Sequence, residues 1–307
     1  MSVALGIDIG GTKTAFAVVD AGGGVLDSRR IETPVAAGFD ATVTQIAQVA
    51  AELLQAHPAI AGIGVGSPGY VDAQAGVVVM ARNLKWQDAP LKASLAAALP
   101  DVPIVIDNDV NALAIGEMYF DRTQSIGSDV LYIAAGTGLA GAIIADGRLI
   151  HGAGNVAAEV GQVRIPAGWG YTGVGTHVED VISGTGLANV AAWLRQQDNA
   201  PATTLPAAAD AKAILAAAQQ EDVLAIQSLN TFTGWLNEMV TWLAAALNPS
   251  DIIIGGGFGM AAAPWIIPAL REHLLQAAPH LHPNLSASQL TDTAVGAAAM
   301  VFASPAG

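Results

Sequence analysis

Residues 5–20 read LGIDIGGTKTAFAVVD: two apolar runs of strand length, 3–9 and 14–19, lie either side of a glycine turn, and Asp20-Ala-Gly-Gly-Gly closes the second. That pattern predicts a β-hairpin. About 125 residues further on, DVLYIAAGTGLAGAIIADGR (129–148) repeats the plan, with apolar strand, Gly-Thr turn, apolar strand and polar turn. A hairpin that recurs in this way predicts two related lobes. After the first hairpin, Val43, Ile46, Val49, Ala50, Leu53 and Leu54 fall at helical spacing and GIGVGS (62–67) returns to strand character. The order strand, strand, helix, strand makes each lobe α/β.

The bulk composition agrees with such a fold and narrows the function. At 307 residues the chain exceeds one ordinary core, and 52% hydrophobic against 12% charged residues suits a well-buried globular protein. A formal net charge of −14, with no run of Lys and Arg against it, argues against nucleic acid as a partner. With no cysteine there is no disulfide framework and no thiolate metal site, and no basic-then-apolar segment precedes the first strand, so a cytoplasmic location is expected. The longest uncharged run, IIIGGGFGMAAAPWIIPAL (252–270), contains four glycines and two prolines. It reads as a buried strand, a loop and a helix start, and no membrane partner is expected. A helix-rich stretch is expected over about 178–247, interrupted near DNAPATTLPA (198–207), and a final Ala-rich helix over about 293–303.

The first turn, Asp8-Ile9-Gly10-Gly11-Thr12-Lys13-Thr14, is no Walker loop, because Thr12 separates Gly11 from Lys13. GVGSPG (64–69) has dinucleotide-site spacing, but Pro68 and YVDAQAG do not open a helix, so that reading also fails. What remains is the pair of turns, Gly10-Gly11-Thr12 and Gly136-Thr137-Gly138, each able to offer backbone N–H groups and a hydroxyl to an anion. Either one alone could equally be a plain tight hairpin. Together they favour a polyphosphate. Asp8 could reach a phosphate-bound Mg²⁺ through water or merely cap its turn, and Gly255-Gly256-Gly257 could admit an adenosine or start the next helix. Asp109, between the strand VPIVIDN and the helix ALAIGEMY, is open to two readings as well: a catalytic carboxylate or a helix N-cap.

Eight segments in order and at the right spacing resemble the ROK family of sugar kinases and repressors: DIGGTKT (8–14), GVGSPGYVD (64–72), ARNLKW (81–86), DNDVNALAIGE (107–117), GTG (136–138), AEVGQ (158–162), HVEDVISG (177–184) and IIIGGG (252–257). The resemblance implies a two-lobed ribonuclease-H-like α/β fold of the actin, hexokinase and heat-shock ATPase superfamily, with sugar and ATP meeting in a cleft. It implies a small lobe over 1–116, with the helix of 293–307 packing back on it, and a large lobe over 117–292. Asp109 would be the general base. Gly69, Asn83, Asn108, Glu159, Gln162 and Glu179 would line the sugar site, and Asp8, Gly10, Gly11, Thr12, Lys13, Thr137, Gly138, Gly256 and Gly257 would hold ATP and its Mg²⁺. Family repressors carry a DNA-binding segment ahead of the first hairpin, which here begins within the first ten residues, so the kinase reading is preferred.

This chain departs from the family in two places. Members usually have His at position 162 and three cysteines soon after, binding a structural zinc; here Gln162 and GWGYTGVGTHVE stand instead, and His177 alone cannot rebuild a four-ligand site. No structural zinc is expected, Gln162 takes over the sugar contact, and Trp169 and Tyr171 are expected to anchor the loop by packing. In GTGLAGA (136–142), Ala140 and Ala142 replace expected glycines, which leaves inorganic polyphosphate open beside ATP. The expected activity is transfer of the γ-phosphoryl group of ATP to the 6-hydroxyl of a hexose, glucose first. N-acetylmannosamine, N-acetylglucosamine, mannose and fructose are alternatives, and a non-catalytic sugar sensor is the rival from another class. The family also implies a homodimer.

Overall fold

A computed structural model describes residues 2–121 and 125–303. Its contacts divide the chain into two units, one made of Met1–Ile126, His151–Ala157 and Gln289–Gly307, the other of Gly127–Ile150 and Ala158–Ser288.

The first unit contains β1 (Val3–Ile9), β2 (Lys13–Asp20), β3 (Val25–Glu32), α1 (Phe39–Ala56), β4 (Ile60–Ser67), β5 (Tyr70–Asp72), β6 (Val77–Ala81), β7 (Trp86–Ala89), α2 (Leu91–Ala98), β8 (Ile104–Asn108) and α3 (Asp109–Phe120). The second contains β9 (Val130–Ala135), β10 (Leu139–Ala145), β11 (Arg148–Leu149), α4 (Gly184–Leu194), α5 (Ala211–Ala218), α6 (Val223–Leu247), β12 (Asp251–Gly255), α7 (Gly257–Ala277) and β13 (Asn284–Ala287). The last helix, α8 (Thr293–Ala303), returns to the first unit, and residues 304–307 of the expected C-terminal helix lie outside the described residues.

The repeat read from the hairpins is a repeat of sheet topology. The first sheet has the order β3-β2-β1-β4-β8 and the second β11-β10-β9-β12-β13. In each, a three-stranded antiparallel meander is extended by two parallel strands. Parallel strands need both faces covered. β1, β9 and β12 are accordingly buried along almost their whole length, and α1 supplies an apolar stripe of Val43, Ile46, Ala47, Ala50 and Leu53.

On the first sheet α8 lies unusually close, because a Cβ on Gly6 would sit 1.7 Å from the Ala294 carbonyl oxygen and one on Gly64 1.8 Å from that of Ala297. Only glycine in the strands and alanine in the helix permit that approach. The changeover between units falls at 126/127 and 288/289, rather than at the expected 116/117 and 292/293. α3 runs on to Phe120 with Gly116 pressed against Gly296, and the Glu117 carboxylate accepts the N–H groups of Gln289 (2.8 Å) and Leu290 (2.9 Å).

The expected loop within 252–270 does not exist. β12 passes through Gly256 alone, at φ +78°, into the single helix α7, which contains both Pro264 and Pro268. The two prolines are exposed and one turn apart on one face of the helix. Among the described residues no helix is long and apolar enough to cross a membrane.

Candidate functional site

In the first unit the turn between β1 and β2 is closed by the Gly10 N–H donating to the Lys13 carbonyl at 2.9 Å. Thr12 and Lys13 are exposed. The N–H groups of Gly11 and Thr12 have no acceptor among the described residues. A Cβ on Gly11 would lie 3.3 Å from Cβ of Asn83, so the glycine of the turn touches a residue expected to hold sugar.

Asn108 and Asp109 share the junction of β8 and α3 and do different work. Asn108 is the N-cap: its Oδ1 accepts from Val110 N at 2.8 Å and from Asn111 N at 3.3 Å, while its Nδ2 donates to the Gly69 carbonyl at 2.9 Å. Gly69 can be only glycine, at φ +90° with a Cβ position 2.0 Å from the Met80 carbonyl oxygen. Asp109 is therefore the first helical residue rather than the cap, and its carboxylate accepts the Val110 N–H at 2.9 Å. Removal from water pushes its pKa up to about 6, against lowering hydrogen bonds from backbone N–H groups and Asn108. Asp8, at the end of β1, is pushed up to about 7 by burial, then by the negative charges of Asp109 and Asp292, with Arg30 opposing. Asp292 itself caps α8, accepting from Ala294 N at 3.0 Å. Three carboxylates thus share one small region.

In the second unit the corresponding turn is one residue shorter, closed by Gly136 N–H donating to the Gly138 carbonyl at 2.9 Å, with Thr137 exposed. The Gly136 carbonyl accepts the Gly184 N–H at 2.7 Å. Beside this turn lies a cavity of about 770 Å³ lined by Gly136, Thr137, Gly184, Thr185, Lys212 and Gly257, with small apolar walls. The first residues of α4, α5 and α7 all line it, which gathers three partially positive helix ends. Ser183 and Asp210 cap the first two, whereas α7, entered through Gly256, has no side-chain cap. An uncapped helix start beside an exposed hydroxyl and a lysine suits a phosphate chain, and the Ala188, Ala192, Ala207 and Phe258 wall suits a flat base.

Glu179 and Gln162 meet in the same unit. Gln162 Nε2 donates to Glu179 Oε1 at 2.7 Å, and a Cβ on Gly138 would lie 2.7 Å from Glu179 Oε2. The Glu159 carbonyl accepts the Gln162 N–H at 3.1 Å, opening a short 3₁₀ turn, Val160–Gln162. Ala158, just before it, is held at φ +62°, a conformation that strains an alanine.

The loop that replaces the family's cysteines is closed by backbone bonds, Val178 N–H to Val163 at 2.8 Å and Ile165 N–H to Thr176 at 3.0 Å. Rings fill it. Trp169 is buried and stacks on Trp235 (centroids 5.3 Å, 9°), and Tyr171 meets Trp193 and Trp235 edge-on. Trp169 Nε1 donates to Glu238 at 2.7 Å and Trp193 Nε1 to Thr172 at 3.0 Å. Trp169 and Tyr171 are the anchors the sequence suggested, and their partners come from α4 and α6. Among the described residues no group of three His, Cys, Asp or Glu side chains is placed to hold a metal ion, and this loop does not fit a zinc.

Sequence reasoning missed Asp292, the Gly184–Thr185 start of α4 and the Ala207–Lys212 stretch. Asp292-Thr-Ala reads as an ordinary cap, which it also is, and Ala207–Lys212 carries no motif; only Ser183-Gly-Thr-Gly was a readable signal for a helix start near the turn.

Residues 4–304 match the model of the ROK family. The glucokinase of Streptomyces coelicolor is 35% identical over 84% of this chain and 82% of its own. The N-acetyl-D-glucosamine kinase of Escherichia coli is 29% identical over 89% of this chain and 90% of its own. The crystal structure of a ROK family glucokinase from Streptomyces griseus in complex with glucose and AMPPNP superposes with a TM-score of 0.77 and 31% identity, covering 97% of this chain and 99% of that one.

Proposed function

The chain belongs to the ROK family, and on that footing we propose that it is a sugar kinase that transfers the γ-phosphoryl group of ATP to the 6-hydroxyl of a hexose, with glucose as the preferred acceptor. One observation carries the reading. Asp109 is a carboxylate spared from capping by Asn108 and raised to about 6, so near neutral pH it is ionised yet basic enough to take a proton. Phosphoryl transfer asks for such a base, for a held nucleophile and for N–H groups to spread charge over the phosphates.

Asn108 orients by holding Gly69, and Asn83 packs against the first turn, so the first unit carries the acceptor side. Glu179, fixed by Gln162, supplies a further acceptor for ring hydroxyls, and Glu159 opens the turn that carries Gln162. In the second unit Thr137, Gly257 and Lys212 line the cavity that would take the nucleotide, Gly138 closes the turn beside it, and Gly256 turns the chain into α7. Gly10, Gly11, Thr12 and Lys13 offer the other set of donors to the phosphates. Mg²⁺ carried by ATP would supply charge neutralisation at the phosphates, and Asp8, with Asp109 and Asp292 near it, is the carboxylate that would hold it.

Support for glucose comes from the Streptomyces relatives, and the N-acetylglucosamine kinase relative puts amino sugars into the test. The test is ADP release, coupled to a reporter, across glucose, mannose, fructose, N-acetylglucosamine and N-acetylmannosamine with ATP and then polyphosphate as donor. The highest kcat/KM is expected for glucose with ATP. A sugar that binds calorimetrically while none releases ADP would establish the sensor instead.

A further inference from the structure

Asp107 ends β8 one residue before the cap of α3, and its side chain is buried. Its Oδ1 accepts from the Asn108 N–H at 2.7 Å and from the Asn111 side-chain amide at 2.7 Å. One oxygen thus grips the chain on both sides of Asp109. The other oxygen, Oδ2, pairs with Nε2 of His151 at 2.7 Å. His151 opens the short segment His151–Ala157, which belongs to the first unit although the chain before and after it belongs to the second. The Ala157 N–H donates to the His151 carbonyl at 3.1 Å and closes that segment on itself. The hydrogen bond to Asp107 favours the charged imidazole, and the charges of Asp107 and Asp72 add to it, against partial burial.

A buried carboxylate that loses the partner of one oxygen becomes costly where it stands and relaxes by turning toward water or another donor. For Asp107 that rotation releases Asn108, Asn111 or both. We propose that His151 is a positioning residue for Asp109, acting through Asp107; the proposal rests on the reading of Asp109 as the base. His151 touches no reacting group. Its effect is on the direction of the α3 start, where misplacement by about 1 Å can cost roughly a hundredfold in rate.

The test compares His151→Leu, which keeps bulk and donates nothing, with His151→Gln, which restores an N–H donor, both in the full chain. Expected for His151→Leu is a fall in kcat of about tenfold or more, with sugar Kd and the KM for ATP within about twofold. His151→Gln should recover kcat to within about threefold of wild type. Hydrogen exchange at the Asn108 amide should speed up in His151→Leu and not in His151→Gln. A merely structural residue would lower Tm, leave kcat per folded molecule unchanged and give no difference in kcat between Leu and Gln, and that result overturns the proposal. So does a wild-type kcat in His151→Leu. If the wild-type protein phosphorylates no sugar, the kinase reading fails by itself, and Asn108 exchange still decides whether His151 holds Asp107.

Discussion

The two glycine turns occupy the same place in the same sheet topology, yet their surroundings have opposite electrical character. The turn after β1 stands with three carboxylates, Asp8, Asp109 and Asp292, two of them pushed well above the ordinary carboxylate range. The turn after β9 stands beside a cavity where three helices begin and Lys212 adds a positive charge. One fold, used twice, thus provides a region rich in carboxylates and another where helix starts and a lysine gather. The difference lies in the chain beyond each β-meander. In the first unit β8 ends in Asp107-Asn108 and α3 starts at once with Asp109, whereas in the second the glycines of β12 and α7 leave an uncapped helix start. That division of labour explains why a duplicated hairpin can serve a two-substrate reaction.

The largest effect should come from Asp109, the proposed base. Asp109→Asn is expected to lower kcat by about 10² to 10⁴-fold with sugar affinity within a few-fold, measured by steady-state kinetics and calorimetry. Next comes the ring-packed loop of Trp169 and Tyr171. Trp169→Ala should destabilise the protein by about 3–5 kcal/mol in denaturant unfolding, because a stacked, buried indole leaves a cavity. A loss under about 1 kcal/mol would mean that the rings do not hold the loop.

The glycine turns themselves sharpen the contrast. Gly138→Val places a branched side chain against Glu179, so it should raise both the KM for ATP and the Kd for sugar by about tenfold or more. Gly11→Val meets Asn83 at a looser 3.3 Å and should shift sugar affinity less than Gly138→Val does. Equal effects of both variants on sugar affinity would erase the distinction.

The smallest effect is on stability against pH. The pKa of Asp109 is raised in the folded protein from 3.8 to about 6, so the stability linked to its protonated form is fully present below about pH 4 and is lost as pH rises through about 6. Asp109→Asn should therefore be more stable than wild type at pH 8, with the difference gone by about pH 4. The wild-type kcat/KM should rise with pH through about 6.

Much of this was legible in the sequence, for physical reasons that also mark where reading stops. β1, β2, β9 and β10 could be read because buried strands are apolar runs and their turns must be glycine-rich, and the repeat came with them. The continuity of α7 could not, because whether prolines such as Pro264 and Pro268 kink a helix or end it depends on the packing around them, which one sequence does not show. Which of Asn108 and Asp109 caps α3 turns on where the helical backbone begins, one residue either way. Asp292 and His151 join Asp8 and Asp107 across long stretches of chain, and a single sequence carries no signal of that pairing. The Gln162–Glu179 bond is a similar case: the substitution was visible, its new partner was not.

The account stands most directly on the identity of the product. Phosphorus and carbon NMR of a reaction containing the protein, ATP, Mg²⁺ and glucose should show ADP and phosphoryl on the 6-oxygen forming in equal amounts, and both forming at least about a hundredfold more slowly with Asp109→Asn. ADP accompanied by free phosphate and unchanged glucose, or equal product from wild type and Asp109→Asn, would contradict it.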